Sequence, residues 1–157
     1  MEGVIKKARI QDLKAVQELN LLLFKKEYQE FDQTLDRQWT FSSAGEKYFK
    51  HRLTKDDGCI FLAYVDDKLV GYLAGGLNNH LPCRVLPKLA ELENTLVLEE
   101  FRSQGIGTKL YQAFVDWCKT KGVKRLRVIA SVQNVKGINF YRKSGFVDYD
   151  LILETEL

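Results

Sequence analysis

Six apolar residues, Ile106, Leu110, Ala113, Phe114, Trp117 and Cys118, recur at i, i+4, i+7, i+8, i+11 and i+12. That spacing draws one continuous stripe down a helix, and the stripe has to lie on another layer. Glycines punctuate both ends: Gly105 and Gly107 at the entry, and Gly122 behind Lys119 and Lys121 at the exit, where a left-handed stop is expected. An apolar strand, about Ala90 to Leu98, precedes the helix and a second, Val123 to Ala130, follows it. A strand, a tight turn, a one-sided helix and a strand predict a sheet covered by helices.

The remaining segments extend this plan. Val4 to Ile10 alternates weakly and suits an opening strand. Asp12 is a candidate N-cap for a helix carrying Leu13, Val16, Leu19, Leu23 and Phe24. That helix gives way to a polar, acidic stretch, Glu27 to Arg37, and a short helix is expected over Ser43 to Leu53. Cys59 to Val65 and Leu69 to Leu77, joined at Asp66-Asp67, read as a hairpin. A loop from Asn78 to Pro87 holds both prolines. A last helix, Asn134 to Ser144, stops at Gly145 with Phe146 beyond it, and Phe146 to Glu156 is expected to form a final strand. The order β-α-α-β-β-β-α-β-α-β gives a mixed α/β domain with helices on both sheet faces.

At 157 residues the chain fits one domain, residues 1–157, able to bury roughly 70% of its unfolded surface. No apolar run is long enough for a membrane span, and Met1 to Lys7 has no apolar signal-peptide core. Cys59, Cys83 and Cys118 are odd in number and widely spaced, which favours a reducing, cytoplasmic setting over a disulfide framework. The net charge of +3 hides an asymmetry: ten basic residues and one acid, Asp116, lie between Arg102 and Lys143, leaving a net −6 elsewhere. A basic half points to an anionic ligand, nucleic acid or polyphosphate.

The glycine turn Arg102-Ser103-Gln104-Gly105-Ile106-Gly107-Thr108 is the natural place for that anion, because amides at a helix start have no intrahelical acceptor. It is not a Walker A loop: no glycine stands five before Gly107, and Lys109 follows Thr108 rather than preceding it. It is not a dinucleotide fingerprint: Leu110 occupies the third small position, and the next strand offers no acid at its end. Arg102-x-x-Gly105-x-Gly107 after a strand ending Leu96-Val97-Leu98 resembles instead the acetyl-CoA pyrophosphate loop of the GNAT superfamily of N-acetyltransferases. Asn134 followed by Phe140-Tyr141-Arg142-Lys143-Ser144-Gly145-Phe146 resembles the second half of that superfamily's signature. Gly137 stands where the family usually has alanine.

The resemblance implies a three-layer α-β-α domain with a twisted, mostly antiparallel sheet. It implies acetyl-CoA as acyl donor, with no metal, and direct transfer to a primary amine. The cofactor would be held by Leu96, Val97, Leu98, Arg102, Ser103, Gln104, Gly105, Ile106, Gly107, Thr108 and Asn134. An alkylammonium has a pKa near 10.4, so a base is needed at neutral pH. Glu93, on the strand before the loop, is the expected base acting through water, with Glu91 as fallback. Tyr141 is the expected acid toward the leaving thiolate, and backbone amides near Leu96 and Val97 would meet the oxyanion.

For the acceptor, Glu27, Tyr28 and Asp32, with Glu30, Phe31 and Asp36 nearby, offer acids among aromatics suited to a small cationic amine. A protein or peptide acceptor is the alternative. A nucleic-acid module built on Lys119 to Arg127 is a further one, though no RNA-binding aromatic signature accompanies the run. His80 and Cys83 supply two metal ligands only. The apolar Leu151-Ile152-Leu153 could contribute to a homodimer contact.

Overall fold

A computed structural model of the chain describes residues 2–78 and 82–157. Five strands form one sheet in the order β1-β2-β3-β4-β5. They are β1 (Val4–Lys7), β2 (Gly58–Val65), β3 (Lys68–Leu77), β4 (Leu89–Val97) and β5 (Arg125–Val128). All neighbours are antiparallel except β4 and β5, which run parallel. The helices are α1 (Leu13–Glu30), α2 (Ser43–Thr54), α3 (Ile106–Thr120) and α4 (Val135–Lys143).

Two apolar clusters separate the faces. Ile106, Leu110, Phe114, Trp117 and Cys118 of α3 pack on Cys59, Ala63, Val65, Val70, Leu73, Ala90 and Leu92. Val16, Leu19 and Leu23 of α1 and Phe49 of α2 pack on Ile60, Leu62, Tyr72, Ala74 and Leu96. The expected stripe of α3 is therefore the one buried. Gly75 has no Cβ because Phe114 sits there: a Cβ would come 2.6 Å from the Phe114 ring. On the other face a polar chain ties α1 to the sheet. Asn20 Nδ2 donates to Tyr72 Oη at 2.9 Å, and Thr40 Oγ1 donates to Asn20 Oδ1 at 2.6 Å. Buried polar groups satisfied this way fix one arrangement of the elements.

Several expectations are refined. Asp12 stands at the N-cap position of α1 as expected, but its side chain does not cap that helix; its carboxylate accepts from the Arg9 amide at 2.8 Å and closes a 3₁₀ turn before it. The strand expected over Val123 to Ala130 is confined to Arg125–Val128, because its ladder partner among the described residues, β4, is matched from Leu89 to Leu92. The final strand expected over Phe146 to Glu156 does not form: residues 147–157 pair with no strand and are exposed. The opening strand, expected to reach Ile10, stops at Lys7, and α1 runs on through Glu27 to Glu30. The remaining boundaries agree within one or two residues, including left-handed Gly122 and Gly145 at φ 71° and 100°.

Candidate active site

The site begins with a fault in the sheet. Between β3 and β4 the register passes from Ala74–Asn94 to Gly75–Leu92, leaving Glu93 as the extra residue of a bulge. A bulge turns two successive side chains toward one face. Glu93 meets Arg52 of α2, and Asn94 meets Tyr48 of the same helix. Beyond the bulge, β4 also loses β5: their pairing ends at Leu92–Val128, and among the described residues Glu93 to Val97 have only β3 beside them. The two strands thus part where β4 is most irregular, and main-chain groups are freed on the parting edge.

Arg52 Nε donates to Glu93 Oε1 at 2.6 Å and Arg52 Nη2 to Glu93 Oε2 at 3.1 Å, with the side chains 15% and 22% exposed. The guanidinium fits because Gly58 and Gly76 face each other across β2 and β3. A Cβ on Gly58 would lie 2.5 Å from Arg52 Cδ, and one on Gly76 2.8 Å from Cζ. Tyr48 Oη accepts from Asn94 Nδ2 at 3.1 Å, and burial holds the Tyr48 phenol well above its ordinary range. Asn94 Oδ1 is buried and has no hydrogen-bond partner among the described residues. Glu91 accepts from Asn78 Nδ2 at 2.6 Å and lies 3.9 Å from Arg127 Nε.

The anion end lies after β4. Glu99–Phe101 form a 3₁₀ turn, Arg102 Nε donates back to Val97 O at 2.8 Å, and Ser103 and Gly105 take left-handed conformations, φ 60° and 79°. Gly105 is the N-cap of α3 and makes no side-chain cap. The first amide to find a helical acceptor is Lys109, donating to Gly105 O at 3.0 Å; the amides of Gly105 to Thr108 find none among the described residues. Several bare donors with the positive end of a helix dipole make a receptor for a diphosphate. Ile106 and Leu96 are exceptions among the expected contact side chains, since both are buried in the core and offer only their main chain.

From the far side comes α4. Asn134 Oδ1 accepts from the Gly137 amide at 3.0 Å, so its carbonyl caps the helix and its amide group remains for a ligand. Phe140 reaches over Gly107, 3.7 Å from where a Cβ would be. Tyr141 stacks edge-on with Phe140 and Phe146, and burial, then the charge of Glu27, pushes its phenol up to about 12. Glu27 at the end of α1 is half-buried, and desolvation raises its carboxyl. The charge of Glu27, more than a hundred residues earlier in the chain, therefore reaches Tyr141.

Other expected acceptor residues have local occupations. The face of Tyr28 is covered by the Arg37 guanidinium at 4.0 Å. Asp32 Oδ1 accepts from the Thr34 amide and hydroxyl at 2.9 and 2.6 Å, which holds its carboxyl below the usual range. The run Lys119 to Arg127 divides between the end of α3, the turn and β5. His80 lies outside the described residues. Among the described residues no group of three or more His, Cys, Asp or Glu is arranged to hold a metal ion, and no helix is long and apolar enough to cross a membrane.

Arg52, Tyr48 and Asn94 were not anticipated. A signal existed for each. Tyr48 and Arg52 are four apart on one helix face, and asparagine is a depleted residue in a buried strand.

Comparison with known proteins locates the fold. The sequence model of the Acetyltransferase (GNAT) family matches residues 15–146. An uncharacterised N-acetyltransferase of Methanocaldococcus jannaschii is 29% identical over 107 residues, 67% of this chain and 46% of that protein. An N-alpha-acetyltransferase of Sulfurisphaera tokodaii is 30% identical over 110 residues, 67% of this chain and 66% of that one. The chain thus matches between about half and two thirds of the length of these curated relatives. Among solved structures, AAC(6')-Iy in complex with the bisubstrate analogue CoA-S-monomethyl-acetylneamine superposes with a TM-score of 0.75 at 18% identity, covering 100% of this chain and 99% of the other.

Proposed function

The chain belongs to the GNAT acetyltransferase family, and from that premise we propose that it transfers an acetyl group from acetyl-CoA directly to a primary amine of a small cationic molecule. The observation that carries this reading is the parting of β4 from β5 beyond Leu92–Val128, followed along the chain by the amides at the start of α3 that find no acceptor among the described residues. Edge groups of Leu96 to Leu98 suit an extended, amide-bearing pantetheine arm. The Gly105 to Thr108 amides suit its diphosphate, with Arg102, Ser103 and Gln104 around them, and the Asn134 amide group is available from α4. Bound acetyl-CoA supplies an activated thioester; the protein has to place the amine, take its proton and stabilise the charge that develops on oxygen and sulfur.

Glu93 takes the proton through a water. Arg52 uses one lone pair on each of its oxygens, and a carboxylate oxygen has two, so a water can be held without breaking the pair. Asn94 Oδ1, with no partner of its own, accepts an N–H of the incoming amine. Glu27 supplies the negative charge that draws in the cation. Tyr141 is best described as a hydrogen-bond donor to the departing sulfur. With its phenol near 12 and an ordinary thiol near 8.5, complete proton transfer is uphill by about three units, roughly 4–5 kcal/mol. Tyr141→Phe is then expected to lower kcat by about 10- to 100-fold, the value of one hydrogen bond to a charged group. Because Tyr141 stays protonated until the pH approaches 12, the wild-type to mutant ratio should be flat from pH 6 to 10; a ratio that collapses near pH 9 would remove it from this role.

Glu27→Gln separates binding from stability. A carboxyl raised on folding destabilises the fold at any pH above the ordinary carboxylate range, where the unfolded chain is ionised, and that cost disappears below it. The variant is expected to melt higher than wild type at pH 7 and equally at pH 3. Its KM for cationic amines should rise about tenfold or more, with neutral amines unaffected. Equal KM values for both classes would exclude Glu27 from the acceptor site.

Two measurements test the whole reading. Acetyl-CoA at 100 times its dissociation constant should stabilise the fold by about 2.7 kcal/mol, visible as a raised melting temperature. Thiol release should then be followed across polyamines, amino sugars, amino acids and short peptides. The likeness to an N-alpha-acetyltransferase makes free peptide N-termini the second reading, and turnover of peptides alone would replace the small amine with it. No heat on titrating coenzyme A would end both.

A further inference from the structure

Arg127 is an arginine whose fork is empty. Its Nε stands 3.9 Å from Glu91 Oε2, outside hydrogen-bonding distance, and none of its N–H groups donates to an acceptor among the described residues, although the side chain is only 33% exposed. Elsewhere the chain closes such forks: Arg52 grips Glu93, and Arg142 grips Asp148, each through two hydrogen bonds. Glu91 does not complete the pair because Asn78 Nδ2 holds it at 2.6 Å, and both neighbours approach the same oxygen, Oε2. Oε1 of Glu91 is left for another donor, as the guanidinium of Arg127 is left for another acceptor. Partly desolvated charges that stop short of each other favour a ligand that completes both.

The pair stands beside the reaction centre. Glu91 and Arg127 are register partners across the parallel β4–β5 ladder, and both point away from the α3 cluster that takes Ala90, Leu92, Leu126 and Val128. Glu93, turned by the bulge toward Arg52, lies on the same face as Glu91. The apolar cluster beneath α1 and α2 draws on β2, β3 and β4 but not on β5, so their cover stops short of Arg127. Along β4, Glu91 and Glu93 are two residues apart, about 6.5 Å, which a chain of about four methylenes spans. A ligand whose reacting nitrogen sits at Glu93 and Asn94 therefore presents its far end to Glu91 and Arg127.

That far end has to offer an anion to Arg127 and, close beside it, a cation to Glu91. An α-amino acid carries both charges on one carbon. We propose that the acceptor is the ω-amine of a free basic α-amino acid of the lysine or ornithine type, its zwitterionic end held by Arg127 and Glu91 and its ω-nitrogen delivered to Glu93. This acceptor presupposes the acetyl transfer proposed above and narrows its small cationic amine to one class, since such a molecule keeps a net positive charge for Glu27 to attract. The α-carboxylate fits the planar guanidinium with two parallel hydrogen bonds. Transfer forms the bond from the ω-nitrogen to the acetyl carbon and breaks that carbon's bond to sulfur. Of the two protons the ω-ammonium gives up, one leaves through water and Glu93 and the other ends on the departing thiol. The α-ammonium, held as a cation by Glu91, does not react.

Thiol release, read as kcat/KM on the full chain, tests this with amines of equal reach: lysine, 1,5-diaminopentane without the carboxylate, 6-aminohexanoate without the α-ammonium, and pentylamine without either. Lysine should be favoured over pentylamine by about 100-fold or more, and its product should carry the acetyl group on the ω-nitrogen alone. Arg127→Gln is expected to cut the preference for lysine over 1,5-diaminopentane by about 10- to 100-fold. Glu91→Gln should cut the preference for lysine over 6-aminohexanoate by a similar factor. Each is a ratio within one protein, so a loss of folded material or of general activity cancels. Similar kcat/KM values for all of these amines, or preferences that neither variant moves, overturn the assignment and leave acetyl transfer to small amines standing. Turnover of amino sugars but of none of these amines does the same. No thiol release with any small amine removes the transfer and the assignment together.

Discussion

Gly105→Asp should leave the protein folded and remove its affinity for acetyl-CoA. Gly105 has φ 79°, a conformation that aspartate tolerates better than most residues, and a Cβ there would meet nothing within 4 Å. The fold therefore has little objection, and melting should fall by only a few degrees. The ligand has a strong one. A carboxylate would stand beside the amides of Ile106 to Thr108, which would hold the diphosphate. At an effective dielectric near 20, like charges about 5 Å apart repel by roughly 3 kcal/mol, which would be a loss of more than 100-fold in affinity. Gly105→Asn, equal in size and uncharged, should lose far less. Gly122→Asp is the matched control: it is also left-handed, φ 71°, also in open space, but at the other end of α3. Calorimetric titration of coenzyme A into the four proteins gives the answer. If Gly105→Asp and Gly122→Asp bind alike, the α3 terminus does not receive the diphosphate.

The glycine turn was legible in the sequence because its meaning is local. A left-handed residue at a helix entry needs only its neighbours to be recognised, and the same holds for Gly122, Gly145 and the Asn134 cap. The stripe of α3 was equally plain, since its period does not depend on what it packs against. What the sequence concealed is relational. Nothing near Glu93 in the chain announces that Arg52, forty-one residues earlier, will grip it, because the slot for the guanidinium is cut by two glycines on two other strands. The bulge was hidden too. An even alternation predicts Glu91 and Glu93 on one face with Asn94 on the other, and only the slipped register against Ala74 and Gly75 turns Glu93 and Asn94 the same way. The segment 147–157 fails for the opposite reason. Its pattern is a sound strand pattern, but a strand needs a partner edge, and local alternation says nothing about whether one is offered.

Glu93→Gln should reduce turnover by about 10²- to 10⁴-fold at pH 7, the usual contribution of a positioned base. The size of the loss must depend on pH in a definite direction. Below about pH 10.4 each unit lowers the free fraction of an alkylamine tenfold, so the base matters most in the most acidic buffers and least where the amine arrives already deprotonated. The wild-type to mutant ratio should therefore shrink steadily from pH 7 to pH 10. Glu93 is also half of an ion pair with little exposure, and its loss strands Arg52; removing one partner of a fully buried pair costs about 3–5 kcal/mol, and less here because both ends retain some water. A fall in activity through damage to the fold has to be told apart from a lost base. Arg52→Gln makes the distinction. It breaks the same two hydrogen bonds from the other side and leaves the carboxylate in place. It should melt about as low as Glu93→Gln, yet keep most of its turnover and a pH dependence of wild-type shape. Should Arg52→Gln lose as much turnover as Glu93→Gln, with both ratios flat across pH, the pair holds β4 to α2 and the proton leaves by another route.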